Sequence, residues 1–159
     1  MNRNPLMALA EEQMKLRADL SHRDLKGYDF SYINLNYANL WGTDFSGCRL
    51  NNAEMKGAYL KDAIFEDARM ISATLRCSYA QGASFLRAIL TQSDLAHTVL
   101  FDTDFTGADI NDVKFHGSFM NENTEGLDDV KGADFRFFHP GKSDLVAIQL
   151  MKKARGERT

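Results

Sequence analysis

Large apolar residues recur at every fifth position from Leu20 to Met120 without one slip of phase. Neither the 3.6-residue helix nor the two-residue strand repeats at that interval, so these hundred residues are not an ordinary helix or a flat sheet. A fixed internal period has to be read before any secondary structure is assigned, because it dictates the architecture. The 21 positions hold ten Leu, six Phe, three Met (Met55, Met70, Met120), Ile110 and one exception, Ala80. Two residues before each of them lies a small column of ten Ala and seven Ser, Thr or Cys, in which only Arg23, Tyr28, Ile33 and Val113 are larger. Two residues after them lie Gly27, Gly42, Gly47, Gly57, Gly82, Gly107 and Gly117, all the glycines of this stretch. Glycine gathers where a chain turns through φ > 0, so each pentad is expected to end in a corner.

One large and one small inward residue followed by a corner describe one short side of a coil. Four sides close a coil of 20 residues, and side chains of one face then stack at spacing 20. Phe45, Phe65, Phe85 and Phe105 stand at that spacing and predict a Phe ladder on one face. Stacked coils pair their backbones at about 4.8 Å, so about five of them make a rod about 25 Å long, filled by side chains.

The units "ANLWG", "TDFSG", "GADI" and "GADF" resemble the A(D/N)LXX unit of the pentapeptide-repeat proteins. The resemblance covers about residues 18 to 120, with a displaced echo at Lys131 to Phe135. It implies an all-β solenoid, the right-handed quadrilateral β-helix of that family. Asp or Asn before the apolar residue is kept at Asp19, Asp24, Asp29, Asn34, Asn39, Asp44, Asp94, Asp104 and Asp109, and is lost from Arg49 through Ile89.

A solenoid needs its open ends covered, because a terminal coil presents unpaired backbone and an apolar core. Residues 1–17 are expected to form an N-terminal capping helix, with Asn4 as N-cap, Pro5 at the first helical position, and Leu6, Leu9, Ala10 and Met14 at helical spacing. The β-helix is assigned to 18–120, and a loop, a partial last coil and an aromatic hinge to 121–141. A C-terminal helix is expected over 142–159, with Leu145, Ile148 and Met151 on one side and Lys152, Lys153 and Arg155 near its end, where cations suit the helix dipole. Phe137 and Phe138, with Leu145, Ile148 and Met151, are candidate self-association residues of a homodimer.

The formal net charge of −3 gives no basic footprint for nucleic acid, and no run of 18 apolar residues is present to span a membrane. The N-terminus lacks the pattern of a signal peptide, so a cytoplasmic protein is expected. Cys48 falls in the small inward column and Cys77 in a corner column, on adjacent faces of different coils, which argues against a disulfide and fits reduced thiols.

Function therefore has to come from the surface. On the face centred on Leu20, Leu40, Leu60, Ala80, Leu100 and Met120, the outward residues include Trp41, Tyr59, Tyr79, Val99, Phe101 and Phe119. A contiguous aromatic patch on a rigid rod marks an interaction surface, and Trp41, Tyr59, Tyr79, Phe101 and Phe119 are the candidate protein-binding residues. The alternative is a structural stripe, covered by the C-terminal segment or by a second copy.

Within the family that the chain resembles, one group binds DNA gyrase or topoisomerase IV by resembling duplex DNA. A 25 Å mimic of duplex DNA wants about fifteen negative charges. Residues 18 to 122 carry a net charge of −5, from 14 Asp and Glu against nine Lys and Arg. Arg49 and Arg69 interrupt the column that runs from Asp29 to Asp109. A DNA-mimicking gyrase or topoisomerase binder is the second reading, and a secreted effector the third.

No Ser/His/Asp set, phosphate loop or paired carboxylate is present, so no enzyme, cofactor or metal is expected. The one ligand-like constellation is Cys77 and His97, 20 apart at one corner, with His116 and Asp94 nearby. Its plainer reading is a set of exposed corner residues.

Overall fold

A computed structural model of the protein describes residues 18–121, 123–127 and the backbone of His139–Pro140. The period of five becomes geometry directly. Every side pairs in parallel with the side 20 residues on, from Asp19 with Asn39, Asp24 with Asp44, Asp29 with Arg49 and Asn34 with Glu54 up to Asp94 with Lys114 and Val99 with Phe119. Each side makes the same set of bonds between coils. Leu20 N donates to Asn39 O (2.9 Å), Asn39 N to Ala18 O (2.9 Å), and His22 N to Trp41 O (2.7 Å). The chain is a right-handed quadrilateral β-helix with four sides to the coil.

The corners explain the glycine column. From position 22 to 117 every fifth residue has φ between 53° and 73°, with glycine at seven of these positions and other residues at thirteen. The backbone closes each corner by a bond such as Arg23 N to Leu20 O (3.3 Å). Positive φ at the third turn residue alone defines a type II turn. A side chain there costs on the order of 1 kcal/mol, so the thirteen exceptions show that the coil closure imposes φ > 0 on whatever residue stands at the corner.

The interior matches the two inward columns. Phe45, Phe65, Phe85 and Phe105 are completely buried, with consecutive ring centroids 5.0–5.2 Å apart and planes within 5° of parallel. Phe30 and Phe115 close the ladder edge-on at its two ends, at 6.1 and 5.8 Å. Inward Thr43, Cys48, Thr98 and Thr103 donate to carbonyls of the preceding coil, Thr43 to Leu20 O at 2.8 Å and Cys48 to Leu25 O at 2.9 Å. Burial pushes the Cys48 thiol up to about 11. Both cysteines are free, Cys48 buried and Cys77 exposed.

Two places depart from the regular pattern. In the first coil the small column holds Arg23 and Tyr28, and both are exposed, whereas Ile33 is buried. Arg23 therefore does not point into the core, as its column implies. This coil has a neighbouring coil of the repeat on one side only, so a large side chain is not forced inward. After Met120 the ladder slips by one residue. Asp104 pairs with Glu125, 21 positions on, yet β1 (Phe119–Met120) pairs in parallel with β2 (His139–Pro140) at the usual 20. The last coil is thus continued at these two sides. Gly126, at φ 77°, lies where a Cβ would come within 2.1 Å of the Phe105 and Thr106 backbone. The assigned terminal helices, and Phe137, Phe138, Leu145, Ile148 and Met151 with them, lie outside the described residues.

Candidate protein-recognition face

The outward column of the first face reads Asp19, Asn39, Tyr59, Tyr79, Val99, Phe119, and the corner beside it carries Trp41, Lys61, Gln81 and Phe101. The structure brings the five sequence-derived residues onto this face together. Trp41 and Tyr59 are each 41% exposed and Phe119 39%, while Tyr79 and Phe101 are half-buried. The Tyr59 and Tyr79 rings stack on successive rungs at 5.4 Å, 10° from parallel. Their faces are thereby turned toward each other, and their edges are left for a partner.

Trp41 is held from several directions. Its indole Nε1 donates to Asp62 Oδ2 (3.3 Å), the His22 ring meets it edge-on at 4.7 Å, and the Lys61 ammonium lies 6.0 Å from its centroid. Further along, the Tyr79 hydroxyl bonds to Gln81 Oε1, and Gln81 Nε2 donates to Asp102 Oδ2 (3.1 Å). Asn123 and Asn121 also donate to Asp102, and these three amides hold its carboxyl below the usual value. The stripe is thus fixed in place by polar contacts along one edge.

The Asp/Asn column has a role that the sequence alone did not disclose. At all nine positions where it is kept, the side-chain oxygen accepts from the backbone N–H two residues on, at the corner: Asp19 from Ser21, Asp24 from Lys26, Asp29 from Ser31, Asn34 from Asn36, Asn39 from Trp41, Asp44 from Ser46, Asp94 from Ala96, Asp104 from Thr106 and Asp109 from Asn111. These are Asx turns, which satisfy a donor that the coil itself leaves open. Where Tyr59, Tyr79 and Val99 stand instead, the N–H groups of Lys61, Gln81 and Phe101 have no partner among the described residues. Three consecutive rungs of this face have exchanged a corner cap for apolar surface.

Sequence sorting by face missed the two most exposed aromatics among the described residues. Tyr32 (78%) and Tyr37 (58%) occupy corner positions of the first coil at φ 63° and 62°, and Tyr28 is exposed beside them. A bulky residue in a column otherwise rich in Gly, Asp and Asn was the available signal.

Most of the described acidic residues are engaged within the solenoid. Ser21 and Ser31 bonds hold Asp19 and Asp29 down. Burial raises Asp44, but Ser46 and Lys26 outweigh it, and the Lys26 ammonium stands 3.0 Å away. Arg87 grips Asp67 through two bonds of 2.8 Å, and Arg76 and Arg49 stand 3.6 and 3.8 Å from Asp94 and Asp29. Cys77 and His97 stack at one corner as expected from their spacing, and the His97 and His116 rings meet edge-on at 5.2 Å. Among the described residues no three His, Cys, Asp or Glu come together to hold a metal, and no helix is long and apolar enough to cross a membrane.

A side-chain-filled rod with four sides to the coil is a four-sided β-solenoid. The pentapeptide-repeat family model matches residues 17–52, 53–92 and 81–120 with eight copies of the repeat, and the chain belongs to that family. Its members are generally structural or binding proteins. Among solved structures it is similar to the pentapeptide-repeat protein Rfr23 of the cyanobacterium Cyanothece 51142, at 21% identity over 74% of this chain and 97% of that one, with a TM-score of 0.40. HetL of Nostoc sp. PCC 7120, a protein involved in heterocyst differentiation regulation, is 21% identical over 87% and 92% of the two chains, with a TM-score of 0.35. A trypsin-treated point variant of QnrB1, a plasmid-mediated fluoroquinolone resistance protein, is 19% identical over 90% and 93%, with a TM-score of 0.36. Likeness at this level carries nothing about activity or partner. No curated protein sequence matches the chain.

Proposed function

We propose that this protein is a non-enzymatic, cytoplasmic adaptor or inhibitor that recognises a partner protein through its aromatic face. The observation that carries the reading is the exchange on that face, where three successive rungs give up their corner caps for Tyr59, Tyr79 and Val99, between Trp41 and Phe119. Losing a cap costs about 1 kcal/mol; the middle coils lose it on every face, but on this face the vacated column is filled by aromatic side chains, which favours a surface selected for contact. The scaffold is preorganised, so little conformational entropy is lost on binding, and exposed Trp and Tyr are the residues that anchor interfaces.

The test is affinity capture with wild type and a Trp41→Asp/Tyr79→Asp variant. Asp19 stands in the Tyr79 column three rungs away, and Asp fills the same outward mid-side position on the other faces, so the fold is expected to tolerate it there. A partner held by wild type and lost by the variant supports the reading, and a partner held equally by both overturns it. The second reading is a DNA-mimicking binder of DNA gyrase or a topoisomerase. The basic residues beside Asp29, Asp44, Asp67 and Asp94 count against it, because no outward column is continuously acidic. Competition by duplex DNA with a steep salt dependence would favour it. Self-association as a homodimer predicts a concentration-dependent mass in sedimentation.

A further inference from the structure

Three backbone donors stand open in a row beside the aromatic stripe. They are the N–H groups of Lys61, Gln81 and Phe101, on successive rungs of one corner, and none has a partner among the described residues. Open corner N–H groups also occur at Asn51, Glu66, Arg76 and Thr91, but on those three faces the rungs on either side are capped. The open groups face outward, because on other rungs of the same corner the same N–H bonds an outward side chain. The charged side chains along the row are Lys61, Asp62 and Asp102, one positive against two negative. The molecule itself shows what fits such a setting. Asn39 takes the Trp41 N–H on its Oδ1 (3.3 Å) while its Nδ2 donates to Asp19 (3.0 Å). Asn36 takes the N–H of Lys56 in the next coil at 2.7 Å and donates to Glu54 at 2.8 Å. A carboxamide thus joins a corner N–H to a carboxylate close by, and it can come from outside the turn that it caps.

Resting on the reading of this face as a recognition surface, we propose that the partner caps these three turns in trans, with Asn or Gln carboxamides carried on a single helix laid along the stripe. The donors require oxygen acceptors, since an N–H that is covered by a partner and left unpaired costs affinity. Asp62 and Asp102 decide the kind of acceptor. A carboxylate brought to the row meets like charge from both, whereas a carboxamide accepts from the N–H and turns its own NH2 toward them. Spacing decides the carrier. Successive rungs are about 4.8 Å apart, so the three donors span about 10 Å. Residues i, i+3 and i+7 share one face of a helix and span about 10.5 Å at about 1.5 Å per residue. Alternate residues of an extended strand span about 13 Å and fall out of step with the row. Apolar residues between the carboxamides then lie against Tyr59, Tyr79 and Val99, the side chains that stand in the vacated column.

The probes are three stapled helical peptides of about 15 residues that differ only in carrying Gln, Glu or Leu at positions i, i+3 and i+7. These three residues have similar helix propensity, so the cost of ordering is matched. Affinity is read by calorimetry, and the site by amide resonances in an NMR titration of the protein. The Gln peptide is expected to bind about tenfold or more tighter than the other two, and to shift the Lys61, Gln81 and Phe101 amides while those of Asn51 and Thr91 stay in place. Val99→Asn supplies a cap for Phe101 from within the chain, as Asn39 does for Trp41, and should weaken the Gln peptide about fivefold more than Val99→Ala does. Ile89→Asn makes the same change on another face and should leave affinity unaltered. Equal binding of the Gln and Leu peptides, or unmoved Lys61, Gln81 and Phe101 amides, overturns the capping. A Glu peptide that binds as tightly as the Gln one overturns the carboxamide assignment. If no peptide binds, the helical occupant is refuted, and a partner still captured through the stripe leaves the recognition reading standing. Tyr59→Ala/Tyr79→Ala removes the rings and keeps all three N–H groups open, so Gln-peptide binding that survives it unchanged refutes the recognition reading alone.

Discussion

The first two coils and the middle coils share one core and differ in their corners. From Asp19 to Asp44 all six outward mid-side residues are Asp or Asn, and each accepts from its corner N–H. From Arg49 to Ile89 none is, and among the described residues a corner N–H finds a partner there at three places only: Asn36 Oδ1 for Lys56 and Asn51 Oδ1 for Ile71, both from the coil before, and Ser84 Oγ, from the column itself, for Leu86. Yet the backbone ladder runs through both regions unchanged, and so do the buried columns apart from Arg23 and Tyr28 in the first coil. The consensus acid of the repeat is thus a local reinforcement, and the coil persists without it. That leaves the outward column free to carry something else, which on one face is the aromatic stripe.

The comparison can be broken most forcefully at the core. Phe45→Ala in the capped region and Phe85→Ala in the middle should each cost about 3 to 5 kcal/mol and lower Tm by similar amounts. A large inequality in calorimetry would mean that the regions differ inside as well as at their corners. Acid should come next. Asp19, Asp29 and Asp44 are held below the ordinary value of 3.8. Groups with depressed values contribute stability that is present above that value and is lost as pH falls through the depressed one. Hydrogen exchange between pH 5 and pH 2 should therefore show the first two coils opening before the middle ones. In one outward column, Asp29→Ala should cost about 1 kcal/mol and Arg69→Ala less than about 0.5, measured by denaturant unfolding. The smallest effect has the opposite sign. Thr74→Asn places an Asx cap under the N–H of Arg76, which has no partner among the described residues, and should stabilise by about 0.5 kcal/mol.

The fold was legible because a five-residue period reports on what faces inward, and inward positions are constrained alike in every coil. The Phe ladder followed from spacing alone, and the glycine column located the corners. The aromatic stripe was readable for the same reason, as a twentieth-residue count. Arg23 and Tyr28 were misread because the first coil has only one neighbour in the repeat, so membership of a column no longer fixes direction. Tyr32 and Tyr37 escaped because positive φ is imposed by coil closure and leaves no requirement for glycine. The function of the Asp/Asn column could not be counted out of the sequence, since an acceptor two residues from its donor leaves no periodic trace beyond its own presence.

The bonds between coils run along the rod, one rung above the next. Tension on the two chain ends therefore loads these rungs in sequence rather than together. The molecule should pay out like thread from a bobbin, one 20-residue turn at a time, each releasing about 70 Å of extended chain. Such a rod resists bending through its packed interior while yielding at low force when pulled from an end. A partner that gripped a terminus could take it apart stepwise, while one that gripped a side would meet a stiff body.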